Sequence, residues 1–379
     1  MFSLNNTEKV FEDCSNFKLW VSSILLGALS KNRLGKLIVF ALRFLPAYFG
    51  RHLMSMFSCE SDFDSLKKIV EYNHQNRVSS LVFPLCNLSD KCWDTIFELV
   101  KSDYIGLKSI LFEVENYIDE RILNLVLKGG LLNTHDKADY QLFLDRLDNL
   151  CSVAEERGKS VVIFTKKIHL APYVKKKAVS LMQKYNKENV TVYFVFQLCL
   201  AGVFDDIVEL VHSSVNEDFK PGIAITKFFV EDNNKKGNDM NGGVCHSFTA
   251  TKRTYRDVTK YLLNNIDNLS LKVVSHNPSN LLFIVSLMDT LGIGPTSPDV
   301  VLAQRYGMAP HISYNLAASG FNSEIIIPFG KTRDVLAHLQ NLYRLDPSLP
   351  LIFAELNYAI RLELKRRKLE NKNSFETSI

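Results

Sequence analysis

The chain has 379 residues, 46% hydrophobic and 23% charged, with a formal net charge of +4 at pH 7. That composition excludes a disordered or fibrous chain, and so small a charge gives no sign of the concentrated basic face that nucleic-acid binding uses. The length suits two or three small domains or one α/β barrel.

Residues 1–77 read as a helical arm. The opening "MFSLNNTEKVFEDCSNFK" mixes acids with bases, whereas a mitochondrial presequence is Arg-rich and poor in acids, so no targeting signal is read here. Two apolar stretches follow, "LWVSSILLGAL" and "LIVFALRFLPAYFG". Both fall short of the roughly 20 residues that cross a bilayer, and the second holds Arg43 and Pro46, so both read as core or interfacial helices.

Eight short runs rich in β-branched and aromatic residues come next: "SSLVFPL", "LKSILFEVE", "SVVIFTKKI", "VTVYFVFQLCL", "IAITKFFV", "LKVVSHNP", "VVLAQRYG" and "SEIIIPFG". Their near-continuous apolar character is that of parallel strands buried on both faces. Helical spacing separates them. "DFDSLKKIVEYNHQNR" sets Leu66, Ile69 and Val70 on one face, and "DYQLFLDRLDNLCSVAEERGK" stops at Gly158. "TYRDVTKYLLNNI" and "PSNLLFIVSLMDTLGI" behave alike. Strand and helix alternating in this way predict an α/β fold, a TIM-like (β/α)₈ barrel over 78–370, with 371–379 as a disordered tail. A doubly wound open sheet is the alternative, weakened because no GxGxxG or GxxxxGK[ST] follows any strand. The polar loop "VEDNNKKGNDMNGGVCHSF" after the fifth strand would lie at the barrel's C-terminal face, where long loops are often functional.

The seven cysteines, from Cys14 to Cys245, show no CxxC or Cys/His metal spacing, and their odd count reads as reduced intracellular thiols. Cys245 and His246 are neighbours in a loop, which is not a catalytic triad. In a barrel of this kind the active site lies at the C-terminal strand ends, so polar residues inside apolar runs carry the information. They are Lys108 in the second run, Gln197 in the fourth, Lys227 in the fifth, Ser275-His276-Asn277 in the sixth, and Gln304 with Arg305 in the seventh. Each must find a partner or lose roughly 1–3 kcal/mol to desolvation. Five strands sending polar groups to one mouth suggest a large polar ligand or cofactor.

The order "VFQLCL", "SHNPS", "AQRYGMAPHISYNLAASGF", "IPFG", then a helix, resembles the proline dehydrogenase (proline oxidase) family, in its eukaryotic type. The resemblance implies a barrel of the proline dehydrogenase type with FAD across its mouth, FAD-dependent oxidation of L-proline to 1-pyrroline-5-carboxylate, and a mitochondrial location with peripheral membrane contact. Lys108 then matches a family lysine near flavin and substrate and is the candidate catalytic residue. Gln197, Lys227, His276, Asn277 and Gln304 fall at cofactor-contacting positions.

Other positions depart from the family pattern. Asp-Ala-Glu at the end of the third strand becomes Phe164-Thr165-Lys166, a basic position of the fifth strand becomes Ala224, and the eighth-strand tyrosine becomes Ile326. The last helix reads His338-Leu339-Gln340-Asn341-Leu342 where the family has Tyr-Leu-x-Arg-Arg. Arg344 is two or three positions away, turned roughly 200–300° on a helix. Losing one partner of a buried charged pair typically costs about 2–5 kcal/mol, a factor of roughly 30 to several thousand in binding. A degenerate substrate pocket is expected, with Phe164, Ala224, Ile326, His338, Asn341 and Leu342 in place of the clamp. Three readings stay open: a non-catalytic family member, a proline dehydrogenase with a rebuilt clamp, and a flavoenzyme for a less anionic substrate. The basic "RLELKRRKLENKNS" reads as a solvated helix end, with contact to an anionic membrane surface as the rival.

Overall fold

The computed structural model describes residues 6–41, 56–60, 62–86, 88–227 and 248–376. All eight apolar runs are strands: β1 (Val78–Leu85), β2 (Leu107–Glu113), β3 (Ser160–Phe164), β4 (Val192–Gln197), β5 (Gly222–Thr226), β6 (Ser270–Val274), β7 (Val300–Arg305) and β8 (Ser323–Gly330). Each pairs in parallel with the next, and β8 pairs with both β7 and β1. The β8–β1 ladder runs from Val78 opposite Ser323 to Leu85 opposite Gly330, so the sheet closes on itself and the open-sheet alternative falls.

Strand side chains alternate between the two faces of the sheet, and closure makes those faces an inside and an outside. Leu81, Phe83, Val162, Phe164, Tyr193, Val195, Ala224, Ala303 and Ile326 form the inner set. Val82, Ile110, Phe112, Val161, Ile163, Phe194, Ile223 and Ile325 form the outer set, packed beneath the helices. This two-sided burial is why the runs read as continuously apolar.

The helices begin and end where their sequences dictate. Asp62 caps Phe63–Gln75 by accepting from the amides of Asp64 and Ser65. On that helix Leu66 and Val70 are fully buried, with Ile69 beside them. Helix Thr134–Glu156 stops two residues before Gly158, which takes φ +61°. Gly307, in "RYGM", is required twice over. Its φ is +72°, and a Cβ there would stand 1.7 Å from the carbonyl oxygen of Met56.

The arm holds helices Glu8–Phe11, Asn16–Leu29 and Asn32–Ala41. After it, Cys59–Glu60 pairs with Phe329–Gly330 of β8, and helix Phe63–Gln75 packs on β1. Helix Asn16–Leu29 packs along the tail helix Leu349–Glu376, with Ser23 donating to Asn357 Oδ1 at 2.7 Å. The tail helix runs through Glu376, and arm and tail form one layer on the barrel. Its basic residues are structural pins: Arg366 and Arg367 both hold the buried Glu363, and Arg367 donates to the carbonyls of Phe11 and Cys14.

The thiols also correct the sequence reading, since Cys86 and Cys92 form a disulfide. Cys59, Cys151 and Cys199 are buried and Cys14 is half-buried, whereas Cys245, His246 and the loop from 228 to 247 lie outside the described residues.

Candidate ligand pocket at the barrel mouth

The C-terminal ends of the strands open onto a cavity of about 190 Å³. Its walls are the inner-facing set, with Phe83, Val162, Phe164, Val195 and Ile326 making it largely apolar. The closing helix Thr332–Leu345 covers one side and contributes Asp334, Ala337, His338 and Asn341.

Three cations line this cavity, and each has a carboxylate of its own. Lys166, just past β3, lies 2.6 Å from Glu113 at the end of β2. Arg305, closing β7, lies 3.7 Å from Asp346, the residue after the closing helix, and both side chains are 8% exposed. Lys272 of β6 bonds both oxygens of Glu324 on β8, at 2.9 and 3.0 Å. Ser109 of β2 completes that cluster, accepting from Lys272 at 2.8 Å and donating to Glu324 at 2.7 Å. Such pairing is demanded by burial, because an uncompensated interior charge costs several kcal/mol. The pocket therefore offers internally balanced charge and no free cationic fork among the described residues.

The remaining polar groups are neutral or acidic. Burial, with Arg305 and Lys166 nearby, pushes the His338 imidazole down to about 3, and its ring stands edge-on to Phe83 at 5.3 Å. Burial and Arg305 likewise hold His276 well below its ordinary range. The Nε2 of His276 accepts from the Arg305 backbone amide at 2.8 Å, which puts the proton of the neutral ring on Nδ1. Burial and the neighbouring Glu113 raise Glu115 to about 7, although Thr165 and the amides of Lys166 and Lys167 donate to it.

A model of the family described as proline dehydrogenase matches residues 48–341, from before the barrel into the closing helix. The chain belongs to the proline dehydrogenase family. It is similar to "Proline dehydrogenase 1, mitochondrial" of Dictyostelium discoideum (26% identity over 219 residues, 55% of this chain and 38% of that one). The protein of the same name from Homo sapiens is 22% identical over 230 residues, 59% of this chain and 38% of that one. The chain thus matches less than two fifths of the length of these relatives. Among solved structures, proline utilization A from Corynebacterium freiburgense superposes with a TM-score of 0.62 at 15% identity, covering 89% of this chain and 35% of that one. The enzyme of that name from Bdellovibrio bacteriovorus, inactivated by N-propargylglycine, gives 0.61 at 15% identity over 77% of this chain and 32% of that one. At such identity these likenesses speak to the fold.

Within this proline dehydrogenase-family barrel, five expected pocket residues do meet: Phe164, Ala224, Ile326, His338 and Asn341. Leu342 does not line the cavity; it is 1% exposed and packs in the core shared with the arm. Lys108 does not line the cavity either. It sits exposed in a bulge at the N-terminal end of β2, between the pairings of Leu107 with Ser80 and Ser109 with Leu81. It is at the opposite end of the barrel from the pocket. The side chain of Arg344 lies outside the described residues.

The expected cofactor residues divide into two groups. Gln304 is fully buried on the outer face, donating to the Ser275 carbonyl and accepting from Ser313. Asn277 caps helix Pro278–Thr290 through the amides of Ser279 and Asn280. Both are engaged within the fold. Gln197 ends β4 facing inward, donates to the Thr165 carbonyl at 2.7 Å, and keeps its buried Oε1 without a partner among the described residues. Lys227 follows β5, 3.3 Å from Asn280 Oδ1 and 4.5 Å over the Tyr255 ring, and burial lowers its amine to about 8.

Sequence reasoning passed over Lys166, Lys272, Glu324 and Glu113 as site residues. The signal was present for two of them. Lys272 in "LKVVSHNP" and Glu324 in "SEIIIPFG" are opposite charges inside apolar strands, the pattern of a buried pair.

Proposed function

We propose that this protein is a flavin-binding member of the proline dehydrogenase family in which the family reaction, FAD-dependent oxidation of L-proline, is lost or strongly impaired. The observation that carries the reading is the charge balance of the pocket. Lys166, Arg305 and Lys272 each face a carboxylate from this same chain, and the closing helix adds the acidic Asp334 and the neutral His338 and Asn341. An amino-acid carboxylate entering here must compete with Glu113, Asp346 or Glu324 for its cation. A neutral, largely apolar ligand meets no such competition on the walls of Phe83, Phe164 and Ile326.

The residues present fit a flavin in part. Gln197 has an orphaned buried carbonyl oxygen that would accept from a ring N–H. His276 presents Nδ1–H as a donor, and Lys227 places an amine where a phosphate's charge would be met. Gln304 and Asn277 support the strand ends and the helix start instead. A bound flavin supplies a hydride acceptor; this chain's own part is to orient and desolvate it. Location in the mitochondrion is proposed from the names of the relatives.

A second reading has its own support. Arg305 and Lys166 line one pocket, so a clamp rebuilt from them would serve an active proline dehydrogenase if substrate displaced their partners. Visible absorption of the purified full chain, then anaerobic addition of L-proline, tests both. Bound flavin that proline does not bleach is expected. Bleaching at ordinary enzymatic rates overturns the proposed loss and favours the rebuilt clamp. A colourless protein that takes up no added FAD overturns the flavin assignment.

A further inference from the structure

The Cys86–Cys92 bond ties the end of β1 to the start of helix Asp90–Lys101, at the rim of the barrel mouth. Cys86 follows Leu85, the last residue of β1, and lines the cavity. Cys92 lies in the first turn of the helix and is fully buried. The two sulfurs of one bond therefore differ in reach. Cys86 is half-buried and faces the cavity, whereas Cys92 has no exposed surface. A thiolate arriving from solvent can attack the first and not the second, because exchange needs access to the sulfur.

The surroundings of Cys92 suit a leaving group. Ser89 stands at the N-cap, where a serine ordinarily bonds a backbone amide of the first turn. Here its side chain makes no such cap, and its Oγ lies 3.6 Å from Cys92 Sγ. The helix has 12 residues, and the aligned peptide dipoles at its start favour a thiolate. Asp90 in the same turn is met by Arg146 at 2.8 Å, which offsets its charge. The other described thiols lack this setting. Cys59, Cys151 and Cys199 are buried, and burial pushes the Cys151 thiol well up. In a compartment buffered by small thiols, a disulfide within reach of solvent is of the exchanging kind.

We propose that Cys86 is a thiol-exchange site, through which a small solvent thiol of tripeptide size is attached reversibly to the wall of the cavity. The incoming thiolate forms a bond to Cys86 Sγ as the Cys86–Cys92 bond breaks. The electron pair of that bond leaves on Cys92 Sγ, which takes a proton from water. A second small thiolate then attacks the sulfur of the attached thiol, and Cys86 departs as a thiolate that water protonates in turn. The small thiols end as their own disulfide, and the cysteine pair ends reduced by two electrons. This inference does not rest on the flavin or substrate reading. It makes the width of the mouth depend on thiol status, because a group carried on Cys86 stands in the cavity that Phe83, Phe164 and Ile326 enclose.

The test uses glutathione on the full-length protein. The chain is equilibrated with reduced and oxidised glutathione at stepped ratios, quenched with acid, alkylated and mapped by mass spectrometry. Expected is loss of the Cys86–Cys92 crosslink within the span of those ratios, with the adduct on Cys86 in at least about tenfold excess over Cys92. Cys92→Ser should trap the adduct on Cys86 close to stoichiometrically. Cys86→Ser should leave Cys92 unmodified until urea exposes it. Ser89→Ala should slow the exchange about threefold while circular dichroism stays unchanged, since a poorer leaving group departs more slowly. An unchanged rate there overturns the part given to Ser89. A crosslink that withstands excess reduced glutathione is purely structural and overturns the proposal. An adduct shared equally between the two sulfurs overturns it as well, as does a chain in which oxidised glutathione forms no such crosslink.

Discussion

Arg305 Nη1 stands 3.7 Å from Asp346 Oδ2 at the pocket wall, with both side chains nine-tenths buried. Burial lowers the guanidinium to about 10 even though Asp346 opposes that shift. Asp346→Asn removes the compensation and should destabilise the fold by about 2–5 kcal/mol, read as a lower urea midpoint. The same variant should bind small carboxylates more tightly by calorimetry, because the cation then lacks its internal partner. Unchanged carboxylate affinity would separate Arg305 from any role toward an anionic ligand.

The Lys272–Glu324–Ser109 cluster is the deeper charge balance. Glu324→Gln should cost about 3–5 kcal/mol by leaving an ammonium uncompensated in the interior. Replacing the cluster together, as Ser109→Ala, Lys272→Met and Glu324→Leu, should cost less than that single change. Denaturant midpoints of the two variants decide the order.

The pH dependence of stability should carry a signature of His338. Its folded value is about 3 against an ordinary 6.5, so between these the unfolded chain binds a proton that the folded chain does not. Stability therefore falls as pH drops from about 6.5 toward 3. Its ring opens onto the cavity, which softens the slope. His338→Phe should flatten the melting temperature against pH over this range relative to the native chain, and an unchanged slope would show the imidazole to be solvated.

For Lys227, the cation that would meet a flavin phosphate is lost as pH rises through about 8. Flavin retention, measured by filtration and absorbance, should weaken above that pH. Lys227→Met should show the weakened state at every pH, with no further loss across the same interval.

Much of the barrel was legible because each strand is buried on both faces and bounded by helical spacing. What one sequence hides is parity. Along β7 the polar pair Gln304-Arg305 reads as one feature, yet the alternation sends Gln304 to Ser313 beneath the helices and Arg305 into the pocket. The bulge at the start of β2 leaves Lys108 outside while Ser109 turns inward to Glu324. On the closing helix a single step of 100° separates Asn341, in the cavity, from Leu342, in the arm's core. Residue type and order pointed to the mouth, whereas the inward or outward sense depended on registers that no run of residues displays.

The closing helix is a party wall. One side of it forms the ceiling of the cavity, and the other is fastened to the arm by Gln340 and Tyr343. The ceiling of the cavity and the footing of the arm are thus two faces of one helix, so a substitution at Tyr343 bears on both.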